Sequence, residues 1–126
     1  MVQGYEKRTC HRFEIPGGKI SYRRKKLFGF SEYYEAHQLI NISKGGASFD
    51  CGEEFKEGQR IIIKIMAPDE PPLELYADVR WQRESGDFKA AVGVIFAPFG
   101  HGFNLNPVTS LDALRRLDAK YVKDHS

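Results

Sequence analysis

From Leu73 to Arg83 the chain alternates for eleven residues: Leu73, Leu75, Ala77, Val79 and Trp81 fall on one face, and Glu74, Tyr76, Asp78, Arg80 and Gln82 on the other. An extended strand turns that order into one apolar side and one wet side, because successive side chains point to opposite faces. Such a strand needs neighbours to cover its apolar side. Gln59 to Met66 (QRIIIKIM) is a second strand former, stopped by Pro68, Pro71 and Pro72, and Phe88 to Ala97 returns after the turn Ser85-Gly86-Asp87. Glu35 to Ser43 reads as a strand, Lys44-Gly45-Gly46 as a turn and Ala47 to Cys51 as the returning strand. Phe13 to Pro16 and Lys19 to Arg23 flank a turn at Gly17-Gly18, and a basic, aromatic loop follows from Arg24 to Tyr34. Short strands with Gly and Pro punctuation predict an all-β barrel or sandwich.

Only the tail differs. Leu111, Leu114, Leu117, Tyr121 and Val122 recur at helical spacing, and Thr109 with Asp112 three residues on resembles a capping box. The spacing predicts a helix over 108–123, a barrel over 13–99 and an amino-terminal arm over 1–12, all in one domain. No apolar run approaches the ~20 residues of a membrane helix, so no direct membrane insertion is expected. Two cysteines, Cys10 and Cys51, and a start without an apolar leader predict a reduced, cytoplasmic protein.

Charge is uneven. Lys7 to Lys26 holds eight basic residues and one acid, Glu14, a composition suited to an anionic ligand. Within it, Arg8 and Arg12 stand four apart, so both guanidinium groups can converge on one ligand. Arginine pairs bidentately with guanine, stacks on bases and holds phosphate. A second pattern is Asn41-Ile42-Ser43-Lys44-Gly45-Gly46 at a strand end. Alternation puts Ile40 and Ile42 inside the barrel and Asn41 and Ser43 side by side outside, where they offer a carboxamide and a hydroxyl. Gly45 and Gly46 let the backbone approach a ligand closely.

R-x-x-x-R followed by N-x-S-x-x-G resembles the signature of PilZ domains, a bacterial family that binds cyclic di-GMP. Val79-Arg80-Trp81 and Val92-Gly93-Val94-Ile95-Phe96 add to the likeness, which covers residues 7 to 97. The resemblance implies a six-stranded antiparallel PilZ-type β-barrel with a carboxy-terminal α-helix. It implies that Arg8 and Arg12 grip guanine and phosphate, that Asn41 and Ser43 contact a guanine, and that Gly46 shapes the turn beneath it. Lys7 is a further candidate contact. Trp81 is either an aromatic beside the bound base or, by its alternation with Val79 and Ala77, core. Asn41 stands where many members carry Asp, and so gives up a charge-assisted bond to a guanine N–H pair.

No nucleophile motif, phosphate loop or dinucleotide fingerprint occurs, and the four histidines have no ligand-like spacing, so neither an enzyme nor a metal site is expected. No cofactor is implied; cyclic di-GMP is a ligand. The predicted function is a receptor that reports cyclic di-GMP to an effector protein by ordering its amino-terminal arm. The alternative is a protein-interaction adaptor that binds no nucleotide. A small-barrel nucleic-acid binder is disfavoured, because no series of exposed aromatics lies along one sheet face.

Overall fold

A computed structural model describes residues 12–34, 37–84 and 90–121. Six antiparallel strands close into a barrel: β1 (Lys19–Arg24), β2 (His37–Ile42), β3 (Gly46–Asp50), β4 (Arg60–Met66), β5 (Leu73–Glu84) and β6 (Ala90–Phe96), followed by helix α1 (Val108–Tyr121). The order around the barrel is β1-β2-β3-β6-β5-β4, and β4 closes onto β1 in six registered pairs from Lys19↔Met66 to Arg24↔Ile61. The wall of β3 and β6 therefore faces that of β4 and β1.

The alternations of the sequence become this interior. Ile61, Ile63 and Ile65 of β4 point in, as do Leu75, Ala77 and Val79 of β5. Closure removes the sheet edges that a strand as apolar as β4 would otherwise expose. Tyr22 lies fully buried among Phe49, Phe55 and Tyr34, with the Cys51 thiol 3.8 Å from its hydroxyl; burial pushes its phenol above the ordinary range.

Two expected elements differ. Phe13 to Pro16 is not a strand: Phe13 makes a single bridge to Ile42, the chain turns at Pro16-Gly17, and both Phe13 and Ile15 are buried as plugs. The helix begins at Val108, so Thr109 lies inside the first turn, and Asp112 pairs with Arg115 at 3.7 Å. Thr109 therefore does not cap it, and the Ser110 amide bonds instead to the Pro107 carbonyl at 2.9 Å. Leu114 and Leu117 join the core. Val122 and the expected end of the helix at 123 lie outside the described residues.

Before the helix, Asn106 is buried and stitches two strand ends together. Its Oδ1 accepts from the Tyr76 amide at 2.7 Å, and its Nδ2 donates to the carbonyls of Tyr76 at 3.1 Å and Ala97 at 3.0 Å. The loop after β1 is a hairpin, held by Lys26 N–H to Gly29 carbonyl and Ser31 N–H to Arg24 carbonyl bonds of 2.8 Å. Phe30 and Tyr33 are half-buried, whereas Leu27 and Phe28 at the tip are 89% and 86% exposed. No helix among the described residues is long and apolar enough to cross a membrane.

Candidate functional site

Two β-bulges decide what faces outward. In β2 the register runs Leu39↔Phe49, then Asn41↔Ser48, so Ile40 is the extra residue. In β5 it runs Val79↔Val94, then Trp81↔Gly93, so Arg80 is extra. A bulge inserts one residue into a strand and re-aims the side chains beyond it. The inward position expected for Ile40 is taken by Leu39, and Ile40 itself is half-buried. Asn41 and Ile42 keep their outward and inward places. Trp81, which plain alternation groups with Val79, comes out of the barrel and is 36% exposed.

Registered pairs then set four residues side by side across the outer wall: Asn41 of β2, Ser48 of β3, Gly93 of β6 and Trp81 of β5. The glycine is a steric requirement. A Cβ on Gly93 would lie 2.2 Å from Cε2 of Trp81, so the indole rests directly on the backbone. Arg83 stands over the indole at 4.6 Å. The next pair toward the turn is Gly46↔Ile95, where a Cβ on Gly46 would lie 2.2 Å from the Val94 carbonyl oxygen. Close approach of β3 to β6, not a positive φ, explains this glycine.

These residues line an open cavity of about 780 Å³, with Arg12, Asn41, Ser43, Gly46 and Trp81 all on its wall. That volume suits a ligand of several rings. Arg12 reaches it because the Phe13 amide and carbonyl pair with those of Ile42 at 2.8 and 2.9 Å, tying the chain to the end of β2. Lys7 and Arg8 lie outside the described residues. Ser43 is buried rather than turned out beside Asn41: its Oγ accepts from the amides of Gly45 at 3.1 Å and Gly46 at 3.2 Å and so holds the turn. Small polar side chains commonly fold back on a turn in this way. Arg80, Ser48, Gly93 and the half-exposed Ile95 also line the cavity and were not singled out from the sequence. The signal for Gly93 was its place opposite the tryptophan; the others depend on bulges that no composition announces.

The groove is basic at Arg12 and Arg80, aromatic at Trp81, and offers a carboxamide at Asn41. It can stack a base, pair with an anion and hydrogen-bond a base edge. It contains no nucleophile–base pair, and among the described residues no three His, Cys, Asp or Glu side chains gather as metal ligands.

Two variants separate the faces of β2. Ile42→Ala should lose ~2–5 kcal/mol of stability through a core cavity. Asn41→Ala should leave the melting temperature within a few degrees, since its side chain bonds only outside the barrel. Thermal unfolding of both checks the assignment.

The PilZ domain family matches residues 6–103, and the chain belongs to that family, whose members are non-catalytic receptor and adaptor modules. Among solved structures it is similar to the inhibitor of motility MotI/DgrA of Bacillus subtilis, with a TM-score of 0.64 and 17% identity over 88% of this chain and 49% of that one. It is similar to the PilZ domain with c-di-GMP of YcgR from Escherichia coli, with a TM-score of 0.61 and 17% identity over 88% of each chain. A third likeness is the MrkH–c-di-GMP complex of K. pneumonia, with a TM-score of 0.61 and 14% identity over 88% of this chain and 51% of that one. The chain thus spans about half the length of the first and third. No curated protein matches it in sequence.

Proposed function

We propose that this domain is a receptor for cyclic di-GMP and that the groove over β2, β3, β6 and β5 is its binding site. The convergence of Arg12, Asn41, Gly46 and Trp81 on one cavity carries the reading. Two of the similar structures, those of YcgR and MrkH, are described as containing c-di-GMP, which supports it. Arg12 pairs with guanine or phosphate, Trp81 stacks on a base, Asn41 meets a base edge, and Ser43 and Gly46 hold the turn that lets the ligand approach. Arg8, with Lys7 near it, adds cationic grip from the arm. The effector is a protein, and the exposed Leu27–Phe28 tip is a surface on which one could dock.

Titration calorimetry with cyclic di-GMP, GTP and single-stranded oligonucleotides tests the reading. Cyclic di-GMP alone should bind tightly. Arg12→Ala should cost ~1–3 kcal/mol, about ten- to a hundredfold, with little change in stability. Unchanged affinity would remove Arg12 from the site. Failure of cyclic di-GMP to bind at all would leave the protein-interaction adaptor, which the exposed tip favours.

The signal leaves the domain through the arm. Ordering a backbone costs ~1–2 kcal/mol per residue, and a ligand clamped by Arg8 and Arg12 offsets that cost for the residues before Phe13. Phe13 itself is already bonded to Ile42. Hydrogen exchange should therefore show amides 7–11 gaining protection with ligand while Phe13 is protected throughout. Equal exchange of 7–11 with and without ligand would sink the arm mechanism and leave a rigid receptor.

A further inference from the structure

We propose that Ser48 is a positioning residue for this site: it fixes the carboxamide of Asn41 so that Asn41 meets the ligand as a hydrogen-bond donor. The inference rests on the receptor reading above and adds a determinant of base specificity to it.

Ser48 is an unusual occupant of its place. It sits on the outer wall, yet it is only 6% exposed, covered between Asn41 and the Trp81–Gly93 contact. A hydroxyl taken from water is costly unless it is bonded. Its bond runs sideways, not into the barrel: Ser48 Oγ donates to Asn41 Oδ1 at 3.0 Å. The bulge at Ile40 makes this possible by setting Asn41, rather than Ile40, directly opposite Ser48.

The consequence lies at the other end of the amide. A free carboxamide can turn over and present oxygen or nitrogen to a ligand. With Oδ1 held against the wall by Ser48, Nδ2 is the end left for the groove, and among the described residues no group accepts from it. Guanine offers two acceptors on one edge, O6 and N7, whereas adenine offers N7 beside the N6 donor. The oxygen-and-nitrogen pair with which an asparagine reads adenine is not presented together, while a lone donor suits either guanine acceptor. The site therefore favours guanine through an orientation, and Ser48 supplies that orientation.

The test uses cyclic di-GMP and cyclic di-AMP against the full chain, Ser48→Ala and Asn41→Asp. Trp81 is the sole tryptophan and lies in the groove, so its fluorescence reports binding directly. Ser48→Ala should weaken cyclic di-GMP about three- to tenfold, the size of one hydrogen bond. It should narrow the preference over cyclic di-AMP by a similar factor, because the released amide can then present either end. Asn41→Asp keeps the shape but removes the donor, and should weaken cyclic di-GMP at least about tenfold. A Ser48→Ala variant that loses both ligands equally, or keeps its preference, overturns the inference and leaves the receptor reading standing. Tighter binding by Asn41→Asp does the same. If the unaltered chain binds no cyclic di-GMP, both the reading and the inference fall.

Discussion

Asn106→Ala is expected to lower stability by about 2–4 kcal/mol, one of the largest losses available to a single substitution here. The side chain is 1% exposed and serves three backbone groups at once, the amide and carbonyl of Tyr76 and the carbonyl of Ala97. Removing it leaves all three buried without a partner at the point where β5 and the end of β6 meet the segment leading to α1. Urea unfolding measures the loss. Thr109→Ala, three residues on, is the contrast. A capping threonine would cost about 1 kcal/mol. Thr109 is exposed inside the first helical turn, so its loss should be within about 0.5 kcal/mol. A small effect at Asn106 would mean that water can reach those groups.

Gly46→Ala should damage both the fold and the groove. Its Cβ would meet the Val94 carbonyl oxygen at 2.2 Å, and that oxygen belongs to the backbone, which cannot swing aside. β3 must move away from β6, at a cost of ~1–3 kcal/mol. The same movement parts Ser48 from Gly93 and opens the row on which Asn41 and Trp81 stand. Melting temperature should fall by several degrees, and cyclic di-GMP binding should fall more than tenfold at a temperature where the variant is folded. Gly52→Ala should change neither, because nothing lies within 4 Å of its Cβ. Normal stability in Gly46→Ala would show that the two strands can separate without loss.

The barrel was legible because its rule is local. The alternation along β4 and β5 needs only side-chain polarity, and Ile61, Ile63, Ile65, Leu75 and Ala77 all went where it sent them. Strand ends were legible to within a few residues because Gly and Pro mark them. Where alternation failed, a register shift was the cause. Leu39 displaced Ile40 from the interior, and Trp81 left the side of Val79. A bulge is a property of two paired strands, so neither strand carries it alone. Asn106 was invisible for a similar reason: its partners lie thirty and nine residues away. The motif residues Arg12, Asn41 and Gly46 were found by pattern and did come together, whereas Ser43 joined them as a brace for the turn. Ser48 carries no signal until its neighbours across the sheet are known.

The two extra residues, Ile40 and Arg80, sort the mutations open to this domain into two kinds. Substitution at either position changes a side chain and leaves the count of residues intact, so drift can proceed there while the groove keeps its arrangement. Deletion of either restores plain pairing and turns the next residue over. Without Ile40, the carboxamide of Asn41 would enter the core; without Arg80, the indole of Trp81 would. Length, more than identity, is what these two strands must conserve. In comparing distant relatives of this domain, a single gap in β2 or β5 should weigh more than many mismatches.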